Sequence, residues 1–107
     1  MRRGDLVTIA LQGEFGKPRP ALVIQSDLFS GTATVTVLVM SSTLIAAPLF
    51  RLTISPTPEN GLRELSQIVI DKAMTLPREK VGEAFGRLDD AVMIAVNRAL
   101  ALFLGFA

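Results

Sequence analysis

Residues 86–106 read GRLDDAVMIAVNRALALFLGF, and the change of period at Leu88-Asp89 decides the architecture of the whole chain. Before it, apolar residues come in short alternating or continuous runs. Beyond it, Val92, Val96, Ala99 and Phe103 recur at three- and four-residue spacing, the pattern of one helix face. Asp89 or Asp90 can cap the start, and Gly105 would stop it. Only Asn97 and Arg98 are polar between Ala91 and Leu104, so the helix is expected to be covered nearly all round, by a sheet and by something else.

Upstream of that helix the periodic segments read as strands: DLVTIALQ (5–12), RPALVIQ (19–25), ATVTVLVM (33–40) and LFRLTIS (49–55). Each is rich in Val, Ile, Leu, Phe and Thr and is bounded by Gly, Pro, Ser or Asp. In LFRLTI, Leu49, Arg51 and Thr53 face one way and Phe50, Leu52 and Ile54 the other, which gives that strand one wet or interface side. The connection SPTPENG (55–61) leads to a fifth strand, SQIVI (66–70), expected to close at Asp71 and Lys72. TLPREK then reads as a turn in which Pro77 can start a helical turn, and GEAFGRL (82–88) as a last edge strand. Short sequential strands followed by one terminal helix predict a mainly β protein with a C-terminal α-helix, built as a small SH3-like antiparallel β-barrel. No repeat or linker divides the chain, so residues 1–107 are expected to form a single domain.

The composition narrows the chemistry. There is no Cys, which excludes disulfides, thiolate metal sites and cysteine nucleophiles and fits a reducing compartment, the cytoplasm by default. There is no His, which removes the usual general base at neutral pH and the commonest metal ligand. Chemistry is left to carboxylates, Arg, Lys, Ser and Thr, with no cofactor or metal implied. Neither the first fifteen residues nor the apolar C-terminal end has the uninterrupted length of an export signal or a membrane span. Half of the residues are hydrophobic (50%) and mean hydropathy is +0.46, high for a small soluble monomer, so a homodimer is expected. A net charge of +1 excludes a strongly basic coat for nucleic acid but leaves a local site open. From Leu28 to Pro58 the only charged residue is Arg51, which marks that third as sheet core or interface.

No P-loop, GxGxxG or Ser/His/Asp set is present; three local features at strand ends remain. In GEFGKPRP (13–20), Glu14, Lys17 and Arg19 could converge on one anionic group, or could be solvated loop charges with Arg19 paired to Glu14. The flanking prolines stiffen Arg19, since Pro18 fixes its own φ and Pro20 pushes its predecessor toward extended geometry. In MSST (40–43), three hydroxyls could orient a phosphate or cap a turn. In ELSQIVIDK (64–72), the Gln67 amide could reach a base or the backbone, while Asp71 and Lys72 read more simply as a charged turn.

In order and spacing these features resemble the MazF/PemK family of toxin endoribonucleases, whose fold is shared with the gyrase poison CcdB. The resemblance is carried by Arg3-Gly4-Asp5 before a strand; by Glu14, Lys17-Pro18-Arg19-Pro20 and the strand ending Gln25-Ser26-Asp27; by Met40-Ser41-Ser42-Thr43 before Pro48; and by Ser66-Gln67-Ile68, Asp71-Lys72 and the closing RALALFLGF. It runs from residue 3 to 106. The family often has aromatic residues where Leu6 to Ala10 stand, and many members have Thr where this chain has Ser41.

What the resemblance implies is a toxin that cleaves single-stranded RNA at specific sequences without a metal and so inhibits translation and growth. The substrate's own 2′-hydroxyl attacks the phosphate, and the products are a 2′,3′-cyclic phosphate and a 5′-hydroxyl. The protein then needs no nucleophile; it must orient the phosphate and neutralise developing charge. By the resemblance the catalytic residues are Arg19, on the scissile phosphate and in proton transfer; Ser41, on a nonbridging oxygen; and Glu14, as a base or an orienter of Arg19. Lys17, Ser42 and Gln67 are the implied RNA contacts. Implied partners are a second copy of the chain and an antitoxin whose disordered segment folds onto the RNA groove. The competing reading is a non-enzymatic gyrase inhibitor like CcdB, which would expose apolar or aromatic residues near Phe103 and Phe106 and have no need of Arg19.

Overall fold

The computed structural model describes residues 1–10 and 17–107. Six strands and one long helix follow in the order β1 (Asp5–Ala10), β2 (Pro18–Val23), β3 (Thr34–Ser41), β4 (Arg51–Ile54), β5 (Ser66–Pro77), β6 (Gly86–Arg87) and α1 (Asp90–Leu104), with short 3-10 turns at Asp27–Phe29 and Arg78–Lys80. The strands form one sheet in the order β4-β5-β3-β2-β1-β6, every pairing antiparallel. This is the expected mainly β architecture with a terminal helix.

Both faces of the sheet are apolar, and each is covered differently. Leu6, Leu22 and Leu38 lie side by side on β1, β2 and β3, join Met40, Ile54, Ile68 and Ile70, and are covered by Met93 and Val96 of α1. On the opposite face, Val7, Ile9, Ala21, Val23, Val35, Val37 and Val39 pack with Met74, Leu76 and Val81. These come from the sheet itself and the turn after β5, so that face is buried by curling, and a bridge between Ile9 and Val81 draws the turn back onto β1. A sheet buried on both faces explains why β2 and β3 read as continuous apolar runs rather than alternating ones.

Asp89 caps α1, its Oδ1 accepting from the N–H of Val92 at 2.8 Å, and Gly105 ends it in the left-handed conformation (φ 83) that only glycine adopts cheaply. The helix is tied to the sheet by Arg3, which donates through Nε to the Ile24 carbonyl and through Nη2 to Asn97 Oδ1, both at 2.7 Å. Its buried stripe is centred on Met93 and Val96, with Val92, Ala99 and Leu100 packed beside them. Phe103, expected on that stripe, is instead 53% exposed, because the last helical turn runs past the part of the sheet that α1 covers. Leu102, Leu104 and Phe106 are exposed with it.

Two strands differ from expectation. β5 does not close at Asp71 and Lys72 but continues to Pro77. The β3–β5 register shifts between Leu38↔Ala73 and Met40↔Ile68, so the charged pair sits exposed in a bulge that the strand absorbs. The edge strand expected over 82–88 shrinks to Gly86–Arg87, held on β1 by pairing with Leu6 and Asp5 and by an Arg87–Asp5 ion pair at 2.9 Å. A Cβ at Gly86 would overlap the Asn60 carbonyl, which explains glycine there.

Candidate functional site

The site grows out of where β2 stops pairing with β3. Their ladder runs Val23↔Val37, Leu22↔Leu38 and Ala21↔Val39 and goes no further, although β2 continues to Pro18 against β1. Ile24 donates its N–H to Thr36 on the β3 side, and alternation puts the nitrogens of Leu22, Pro20 and Pro18 on that same side. Pro20 and Pro18 have no N–H to give, so the ladder must end at Ala21. A notch opens between the two strands; carried past the end of the ladder, the same register sets Pro20 opposite Met40 and then Arg19 opposite Ser41.

Arg19 shares the face of Ala21 and Val23, and Ser41 that of Val39, so both belong to the curled face of the sheet. Continuing across the strands, Ile9 pairs with Arg19, Ser41 with Gln67, and Gln67 with Thr53. One row thus carries Arg19, Ser41 and Gln67, residues far apart in sequence. Lys17 stands exposed beside the start of β2, and Ser42 exposed next to Ser41. Glu14 lies outside the described residues, as do the last two residues of the first expected strand.

Ser41 Oγ accepts from the N–H of Thr43 at 3.1 Å, the turn-capping role open to MSST. That bond uses a lone pair and leaves the hydroxyl proton available as a donor. Gln67 is 5% exposed and its amide is fully engaged. Oε1 accepts from the Ile45 N–H at 3.0 Å, while Nε2 donates to the Ile45 carbonyl and to Thr53 Oγ1, each at 3.1 Å. The amide therefore grips the backbone of the loop that follows Ser41.

Sequence reasoning left Arg51 without a role. On β4, Leu52 and Ile54 face the helix-covered core, which turns Arg51 and Thr53 to the site face. Its Nη1 lies 3.3 Å from both the Thr43 carbonyl and Gln67 Oε1, and its Nε is buried with no hydrogen-bond partner. The signal was present: a lone charge in thirty apolar and polar neutral residues, alternating with Leu and Ile.

Guanidinium groups and a hydroxyl donor on one face can hold and neutralise anionic oxygens, while no nucleophile–base pair stands among the described residues. Nor do three His, Cys, Asp or Glu side chains cluster there so as to hold a metal. No helix among them is long and apolar enough to cross a membrane.

A curled antiparallel sheet backed by one terminal helix, with a cationic, hydroxyl-bearing notch, defines a class of small toxins, and the chain belongs to it: residues 2–104 match the family of PemK-like, MazF-like toxins of type II toxin–antitoxin systems. Within that family it is 47% identical over 108 residues to the probable endoribonuclease MazF of Mycolicibacterium smegmatis, an alignment covering 100% of this chain and 99% of that protein. An endoribonuclease solved in complex with its cognate antitoxin from a mycobacterial species superposes with a TM-score of 0.84 at 22% identity, covering 100% of this chain and 97% of the other. A MazE–MazF complex of Deinococcus radiodurans gives 0.78 at 23% identity, over 100% and 98% of the two chains. At such identities the solved structures establish the fold.

Proposed function

We propose that residues 1–107 act as one toxin domain, a sequence-specific endoribonuclease that cuts single-stranded RNA without a metal. The observation that carries this reading is the proline-opened notch where the β2–β3 ladder ends at Ala21↔Val39, with Arg19 and Ser41 two positions beyond it on one face, in a chain whose family and 47%-identical relative are named for such toxins. The 2′-hydroxyl of the nucleotide at the cut attacks the adjacent phosphorus, its proton passing to a base; the bond to the 5′-oxygen breaks and that oxygen takes up a proton. Products are a 2′,3′-cyclic phosphate and a 5′-hydroxyl.

Arg19 donates to the scissile phosphate and offsets charge as it builds on the equatorial oxygens, and Ser41 donates its hydroxyl proton to a nonbridging oxygen. Glu14 serves as the base or orients Arg19, and Lys17 and Ser42 add contacts along the RNA. Gln67 supports RNA binding from behind, through the loop it grips. A single strand is required because the edges that specify a base are hidden in a duplex. Such cleavage in the cytoplasm would inhibit translation and growth until an antitoxin, the kind of partner with which a mycobacterial endoribonuclease was solved in complex, folds over the site.

The exposed apolar end of α1, with Phe103 at 53% and Phe106 at 82%, is the surface on which two copies would meet. A gyrase inhibitor would expose the same residues, but the family match and the 47%-identical relative favour the MazF reading, and Arg19 separates the two. The test is to incubate purified protein with labelled single-stranded RNAs in EDTA beside Arg19→Ala, with a gyrase supercoiling assay in parallel. Cleavage by the wild type, lost in the variant, with supercoiling untouched, is expected. Equal cutting by both proteins, no cutting of varied RNAs, or gyrase inhibition would overturn the proposal.

A further inference from the structure

Arg51 holds a position that is difficult to explain as structure alone. It is a half-buried guanidinium with no carboxylate among the described residues in ion-pairing range, in a stretch from residue 28 to 58 with no other charge. Burial of a cation is costly unless it is paired and hydrogen-bonded. The two acceptors it has, the Thr43 carbonyl and Gln67 Oε1, are neutral, share one nitrogen and lie at 3.3 Å, the long end of the hydrogen-bond range. Nε is buried and has no partner.

The surrounding residues define what the guanidinium can meet. Arg51 is two residues from Thr53 on the same face of β4, Thr53 pairs with Gln67, and Gln67 pairs with Ser41. β4 and β2 are three strand spacings apart, about 14 Å between backbones and less between long side chains on the concave side of a curled sheet. A single strand whose scissile phosphate sits between Arg19 and Ser41 would pass along this row toward β4. We propose that Arg51 is a second phosphate-binding residue, which holds a backbone phosphate of the bound RNA next to the one that is cut.

This deepens the reading of that face as an RNA site and rests on it. The guanidinium fork meets the phosphate with its free N–H groups while Nη1 keeps its hold on Thr43, so the cation is pre-oriented and little side-chain freedom remains to be lost. It is a binding contact, remote from the reacting atoms.

The test measures binding of a fluorescent single-stranded oligonucleotide carrying 2′-O-methyl groups, which the 2′-hydroxyl mechanism cannot cut, to wild type, Arg51→Gln and Arg51→Lys from 50 to 400 mM KCl. Each phosphate contact on a single strand contributes about 0.7 to the slope of log K against log salt. Arg51→Gln is expected to lower the slope by about that amount and weaken binding several-fold at low salt; Arg51→Lys, which keeps the charge, retains the slope. In cleavage assays Arg51→Gln should raise KM several-fold and leave kcat within about twofold. The proposal is overturned if Arg51→Gln keeps the wild-type slope, whether or not its kcat or melting temperature falls, for Arg51 would then only brace the loop. It is overturned equally if Arg51→Lys loses the slope. Because the oligonucleotide is not cut, the outcome is independent of catalysis: a wild type that cleaves nothing yet binds with an Arg51-dependent slope would sink the nuclease reading and leave this one standing.

Discussion

Replacing Gln67 by Met keeps the length and volume of the side chain and removes every polar atom of its amide. Four hydrogen bonds go: two with the Ile45 backbone, one with Thr53 Oγ1 and one with Arg51 Nη1, at 3.0 to 3.3 Å. Each is worth about 1 kcal/mol net, but the released groups of Ile45 and Thr53 lie in exposed residues and recover water. Arg51, half-buried, does not recover fully, and the apolar thioether gains a little in a 5%-exposed site. The balance is a loss of about 2 kcal/mol, or about 10 °C in melting temperature for a chain of this size. Urea titration followed by circular dichroism reads the first figure and a thermal scan the second. Cleavage at saturating RNA should fall about tenfold, because the freed loop no longer holds the Thr43 N–H that fixes Ser41 Oγ. Unchanged stability with cleavage abolished would refute the reasoning and make Gln67 a direct RNA contact; unchanged stability with unchanged cleavage would mean that the amide holds nothing of consequence.

Other substitutions test other links. Pro20→Ala restores an N–H on the β3 side and should let the ladder close over the notch, cutting turnover about tenfold while stability moves by less than about 0.5 kcal/mol, as seen by steady-state kinetics and urea titration. Gly86→Ala drives a methyl group into the Asn60 carbonyl and should cost on the order of 4 kcal/mol, enough to unfold much of the protein at 37 °C by thermal melt. Phe103→Glu places a charge on the exposed end of α1; if two copies meet there as proposed, sedimentation should find the wild type as a dimer and the variant as a monomer, with the variant's circular dichroism spectrum still that of the folded chain.

Much of this was legible in the sequence because the determinants are local. The helix is announced by Asp89, Gly105 and its period, β1 and β3 by β-branched runs, and β2 by the apolar run that follows Pro20. β5 reads as ending early because Asp71 and Lys72 look like a turn to any rule based on neighbours; only the register against β3 shows a bulge that keeps both wet while the strand goes on. Phe103 has the spacing of the buried stripe yet lies exposed, because spacing along a helix does not say where the sheet beneath it ends. The prolines around Arg19 read, in sequence, as stiffeners of that one residue's backbone. Their larger effect, ending a ladder by withholding N–H groups from β3, depends on which strand lies on that side and cannot be read from β2 alone. Gln67 and Arg51 show the same limit: a buried amide and a lone cation were visible as types, and their partners, Ile45 and Thr43, were fixed by pairing across β3, β4 and β5.

The central claim is that the RNA supplies its own nucleophile to a notch built from Arg19 and Ser41. Its most direct test is a synthetic RNA spanning a mapped cut, with a single 2′-deoxynucleotide at the residue whose 2′-hydroxyl should attack. The mechanism predicts that this one missing oxygen abolishes cleavage at that bond in EDTA while the unmodified RNA is cut to fragments with 5′-hydroxyl ends. Continued cutting of the deoxy-substituted bond would contradict it, for the nucleophile would then have to come from water or the protein.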